Sequence, residues 1–167
     1  MKHKLFFILA AIICFSFMPK PTVYYFSSVD PVRGFDGRKP EKSTAVYQRP
    51  KGKATTNDYL ISGVKSSARL KIEETNFFAY PDESSKSLNA FLYISLYKVN
   101  SGKINRTLSI TGDGGGAMWI PVNMIKVSES AYKIIPGAAM QPGEYAIVDK
   151  TTITAEGNYT VWTFGID

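Results

Sequence analysis

Along most of its length this chain divides its apolar and aromatic residues into short runs separated by Gly, Pro, Asn, Asp and Ser, and almost no run keeps a helical period long enough to count. The runs at 22–26, 45–48, 59–64, 68–73, 76–80, 90–99, 106–111, 117–120, 123–127, 131–135, 144–149 and 159–164 read as strands. So many short strands with regular turn signals argue for an all-β sandwich or barrel, and the architecture expected is a single antiparallel β-sandwich. The one tempting helix, at 84–92, runs into a β-rich continuation and is read as a loop leading into a strand.

Turn chemistry supports the strand boundaries. Asn100-Ser101-Gly102 follows Val99, the glycine-rich run at 112–116 follows Thr111, Pro142-Gly143 precedes Glu144, and Glu156-Gly157-Asn158 precedes Tyr159. Gly supplies positive φ, and Pro142 presets the first central position of a turn. Within 90–99, alternation places Leu92, Ile94 and Leu96 on one face and Phe91, Tyr93, Ser95 and Tyr97 on the other. A strand apolar on both faces is expected to be central and covered on both sides. Its aromatic face has a second reading, as a platform for sugar rings.

The beginning of the chain has a different composition. Lys2, His3 and Lys4 precede the apolar run 5–13, and the small residues Cys14 and Ser16 follow two apart, the order of a secretory signal. The run 5–18 is shorter than the ~20 apolar residues a spanning helix needs, so no transmembrane span is expected in the mature chain. The division expected is 1–18 as a signal peptide, 19–58 as an N-terminal strand with a basic loop segment, and 59–167 as the core sandwich. Cys14 is the only cysteine, and it also permits a lipid-anchored reading, although Ile13 stands where a lipoprotein signal wants a small side chain. In either case the mature domain has no disulfide, so its core must suffice for stability. Removing Lys2 and Lys4 takes the formal charge from +6 to +4. The remaining bases cluster at 33–53, read as a solvated segment or a patch facing anionic envelope polymer, with no nucleic acid expected as partner.

The single histidine, His3, lies inside the leader. A mature domain without His or Cys loses Ser-His-Asp and Cys-His catalysis, thiolate and imidazole metal sites, and haem ligation by those side chains. No cofactor and no metal is expected, and no catalytic residue is assigned. Carboxylates remain at Glu73, Glu74, Asp82, Glu83, Asp113, Glu129, Glu144 and Asp149, but a glycosidase needs two of them facing across a cleft. The run at 112–116 lacks the Gly-Lys-Ser/Thr ending of a phosphate cradle and reads as a flexible hairpin.

The last third carries the most specific pattern: Tyr132 to Pro136, then Met140-Gln141-Pro142-Gly143-Glu144-Tyr145-Ala146-Ile147, then Phe164-Gly165-Ile166-Asp167. Tyr145 and Ile147 share one face of a strand, and Trp162 and Phe164 share one face of the last. With Arg106 and the glycine-rich run, these residues resemble an uncharacterised family of exported bacterial β-sandwich proteins having a Pro-Gly-Glu-Tyr-Ala turn and a terminal Phe-Gly-Ile/Val-Asp. The resemblance is specific over about 104–167 and weaker before it. It implies a β-sandwich and export, and it brings no activity. Pro142, Gly143, Glu144 and Tyr145 are expected to define the fold, Tyr145 by anchoring a corner through its hydroxyl and Glu144 by bonding turn amides or pairing with Arg106.

The function expected is a non-enzymatic interaction module of the cell envelope, in the periplasm or at the surface of a bacterium, whose partner is an envelope protein or polysaccharide. The alternative is a carbohydrate-binding domain using Trp119, Trp162, Tyr93 and Tyr97, whose rings combine an apolar face with a polar tip. A carboxylate-based glycoside hydrolase is the third reading.

Overall fold

Alternation is plainest in Asn105–Thr111, where Arg106, Leu108 and Ile110 are buried and the residues between them half-buried. That is the pattern of a strand with one face toward a core. The computed structural model describes residues 24–27, 40–50, 55–72, 76–81, 94–111, 118–129 and 131–167. Twelve strands lie among them: β1 (Tyr24–Ser27), β2 (Glu41–Gln48), β3 (Thr56–Ser62), β4 (Arg69–Leu70), β5 (Phe77–Pro81), β6 (Ile94–Ser101), β7 (Asn105–Thr111), β8 (Trp119–Ile120), β9 (Val122–Ser128), β10 (Ala131–Pro136), β11 (Gly143–Asp149) and β12 (Tyr159–Ile166). Each overlaps one of the twelve runs read from the sequence, and the chain is all-β.

The expected single sandwich is replaced by a closed barrel carrying a smaller sheet. The larger sheet runs β11-β12-β2-β3-β7-β6, and β6 returns to pair with β11, so six antiparallel strands form a ring. The seam between β6 and β7 is short, with Asn100 opposite Thr107 and Ser101 opposite Arg106. Beyond it β8 pairs with β6, placing Trp119 opposite Tyr97, and β4 runs parallel to the end of β12. The second sheet has the order β1-β5-β10-β9. Strand alternation is the same in a sandwich and a barrel, and closure is decided by register and tilt among strands distant in the chain.

Two cores result. Inside the barrel lie Ala45, Tyr59, Ile61, Tyr97, Val99, Leu108, Ile110, Ala146, Val148 and Val161. Between the barrel wall and the smaller sheet, Leu96, Tyr145, Ile147, Trp162, Phe164 and Ile166 meet Phe77, Ala79, Met124 and Ile134. Strands β6, β11 and β12 therefore bury both faces, the arrangement expected for 90–99. β2 stands between β12 and β3, so the segment read as an N-terminal strand and basic loop supplies part of the barrel wall, with Lys42 and Arg49 exposed upon it.

The leader, Cys14, residues 33–39 and 51–53 of the basic segment, Tyr93, the run at 112–116 and the carboxylates Glu73, Glu74, Asp82, Glu83 and Asp113 lie outside the described residues. Among the described residues no helix is long and apolar enough to cross a membrane.

Candidate functional site

The densest polar constellation closes one end of the barrel. Inward positions on β7 and β11 fall at Arg106 and Glu144, in phase with Leu108 and Ala146, so both side chains are carried inside, 1% and 5% exposed. Buried charges are tolerated only when they are paired and hydrogen-bonded. Glu144 Oε2 lies 3.6 Å from Arg106 Nη1, the pairing expected, and accepts a hydrogen bond at 2.8 Å from the N–H of the distant Ser66 where an amide of its own turn was expected. Its other oxygen pairs with Arg69, whose Nε donates to Asp167 Oδ2 at 3.2 Å. Arg106 in turn donates to the carbonyls of Ser62, at 2.9 Å, and Gly63, at 3.2 Å. Glu41 of β2 accepts from Ser67 N–H at 2.8 Å and lies 2.9 Å from Ser66 Oγ.

These contacts set the electrostatics. Burial pulls Arg106 below its ordinary value, against the attraction of Glu144 and Glu41. The bond with Asp167 raises Arg69, burial works the other way, and Glu144 adds to the rise. Burial opposes the charge on Glu41, but hydrogen bonds from Ser67 and Ser66 and the charge of Arg106 outweigh it and hold the carboxyl below its usual range.

Gly165 completes the cluster. A Cβ there would fall 1.6 Å from Arg69 Nη1 and 2.1 Å from Cζ, so the guanidinium lies directly against the bare backbone. Gly165→Ala is expected to displace Arg69 and cost about 1–2 kcal/mol, the scale of a hydrogen bond to a charged group. In an Arg69→Ala background the same substitution should cost less than about 0.5 kcal/mol. Urea unfolding of the four proteins in this cycle checks the coupling.

Tyr145 anchors its corner as expected: its hydroxyl donates to the Gln141 carbonyl at 2.6 Å, and Gln141 N–H donates back to it at 3.2 Å. Pro142 and Gly143 form the turn into β11. Tyr145 points to the opposite face of β11, into the core between the sheets, while the motif residues Arg106, Glu144, Gly165 and Asp167 belong to one structural assembly. Arg69, Ser66 and Glu41, its other members, escaped the sequence reading because they sit in segments far away along the chain.

The aromatic candidates separate. Tyr97 is fully buried inside the barrel, and Trp162 is buried between the sheets. Among the described candidates only Trp119 stays open, 43% exposed beside the β6–β7 seam. The sequence reading missed a different aromatic group at the opposite end of the barrel. Tyr59 lies with its ring centroid 5.6 Å from Tyr47 and 5.2 Å from Tyr159. Burial first, then the neighbouring Tyr159, pushes its hydroxyl up to about 12. The available signal was phase, since Tyr47 and Tyr59 occupy the same face of their strands as Ala45 and Ile61.

Of the carboxylates singled out in the sequence, Glu129, Glu144 and Asp149 are described, and they lie apart, Glu144 and Asp149 at the two ends of β11 and Glu129 after β9. Asp149 is fully buried, with Oδ1 accepting from Thr151 N–H at 2.9 Å and Oδ2 without a hydrogen-bond partner, and burial raises its carboxyl above the usual value despite the bonds from Thr151. Glu129 is exposed. Among the described residues no group of three or more His, Cys, Asp or Glu is placed to hold a metal ion. No protein-family model matches the chain, and comparison with curated proteins and with solved structures returns no match.

Proposed function

We propose that this chain is an exported, non-enzymatic interaction module of the cell envelope that meets an envelope protein or polysaccharide through its outer sheet faces and loops. The supporting observation is a barrel whose inward positions are taken by side chains, from the Arg106–Glu144 pair at one end to the Tyr47–Tyr59–Tyr159 group at the other. Small closed barrels filled in this way are packed cores, which leaves the outer surface for contact. Export rests on the leader pattern and on the resemblance carried by the Pro-Gly-Glu-Tyr-Ala and Phe-Gly-Ile-Asp residues. The test is capture from solubilised envelope on the immobilised protein: a saturable partner displaced by free protein is expected, and a protein that stays monomeric and retains nothing would overturn the reading.

Carbohydrate binding is the second reading, favoured by the exposed indole of Trp119. A ligand at a hundred times its Kd adds ~2.7 kcal/mol to stability, so a binding oligosaccharide should raise the melting temperature in a concentration-dependent way. Trp119→Ala should abolish that rise, and no shift across a broad panel would leave the protein-partner reading in place.

A further inference from the structure

After β3 the chain crosses the Arg106 end of the barrel as a strap, residues 63–69, before Leu70 enters the core between the sheets. Its anchors are carboxylates on three different wall strands or their ends. Ser67 N–H and Ser66 Oγ meet Glu41 of β2, Ser66 N–H meets Glu144 of β11, and Arg69 meets both Glu144 and Asp167, the residue after β12. Ser66 Oγ also lies 3.0 Å from the Thr163 carbonyl, and its one hydrogen serves a single acceptor at a time. Two backbone bonds complete the attachment, from Gly165 N–H to Ala68 O at 2.8 Å and from Asp167 N–H to Leu70 O at 3.3 Å.

The two ends of the strap differ from its middle. Gly63 has φ +82°, a conformation that favours glycine, and its carbonyl is held by Arg106, whose charge persists in acid. Leu70 is buried among apolar side chains. Between these two fixed points most side-chain anchoring depends on ionised carboxylates.

We propose that residues 63–69 are an acid-released strap: protonation of Glu41 and Asp167 frees the segment between Gly63 and Leu70 while the barrel stays folded. Opening uncovers the edge of β12 at Gly165, which Arg69 of β4 pairs in the closed state.

The charged groups facing these carboxylates are Arg106 on β7 and Arg69 and Lys65 on the strap. The bond from Arg69 holds Asp167 below its usual value, with Lys65 adding to the effect, and Glu41 is likewise held low by its bonds from the strap against the effect of burial. A carboxylate depressed in the closed state stabilises that state fully above its ordinary value, and the stabilisation is lost as pH falls through the depressed value. Release is therefore confined to the acid side of the ordinary carboxylate range, near pH 4 and below.

The test is amide hydrogen exchange read by NMR on the protein, corrected for intrinsic rates, from pH 7 down to pH 3. The amides of Ser67 and Gly165 are expected to lose at least about tenfold in protection at a pH where Ala146 and Val148 in the barrel wall keep theirs. Loss of both sets together, or a strap protected until the whole chain unfolds, would overturn the proposal. Glu41→Gln at neutral pH provides a second reading, expected to lower protection at Ser67 with the wall unchanged; full protection there would count equally against release.

Discussion

Replacing Glu144 with Gln is expected to lower the stability of the fold by about 3 kcal/mol, a large share of the 5–15 kcal/mol that holds a typical domain together. The substitution preserves shape, and the amide oxygen can still accept from Ser66 N–H. What it removes is the charge 3.6 Å from Arg106 and one of the carboxylate partners of Arg69. Arg106 is 1% exposed and cannot recover solvation by moving. Its Nη1 makes no hydrogen bond, so the Glu144 charge is its near compensation, with Glu41 as the remaining anion. Breaking one side of a buried pair costs about 3–5 kcal/mol because the other charge is left unpaired, and Glu41 places the expectation at the lower end. Urea unfolding measures it: the midpoint should fall by about 1–3 M with the slope unchanged. An unchanged midpoint would mean that the cluster does not hold the barrel end, and the motif glutamate would need another role.

A comparable loss, about 3–5 kcal/mol, is expected for Phe164→Ala. Phe164 projects from the barrel wall into the core between the sheets, 4.5 Å by ring centroids from Phe77 of the smaller sheet and 5.5 Å, nearly parallel, from Tyr145. It is fully buried, so truncation removes apolar contact on both sides and leaves a cavity that two sheets cannot easily collapse upon. This position also reports whether the two sheets unfold as one unit. Coincident transitions by Trp fluorescence and far-UV circular dichroism are expected, and an early fluorescence change with the strand signal retained would show the smaller sheet detaching separately.

Both predictions rest on residues whose burial is legible from phase. Arg106 alternates with Leu108 and Ile110, Glu144 with Ala146 and Val148, and Phe164 with Trp162 and Ile166, so each face assignment follows from the local pattern. The partners are not legible in this way. Nothing near Glu144 in the chain points to Arg69 or Ser66, more than seventy residues earlier. Tyr97 and Trp162 illustrate the same limit: aromatic content made them candidates for a sugar platform, and only the packing of the smaller sheet and the closing of the barrel put them out of reach.

By itself, then, the sequence determined where the strands lie, which side chains share a face, and that Tyr145 and the Pro142-Gly143 turn make a corner, because these depend on a two-residue period and on turn residues only a few positions apart. The tertiary structure decided that the larger sheet closes, that β6 meets β11 and β12 meets β2, and that Glu41, Glu144 and Asp167 converge on one strap. Those outcomes depend on registers between strands as much as 122 residues apart, as with the Thr163 hydroxyl on the Glu41 carbonyl, and such a register is selected by packing over the whole sheet.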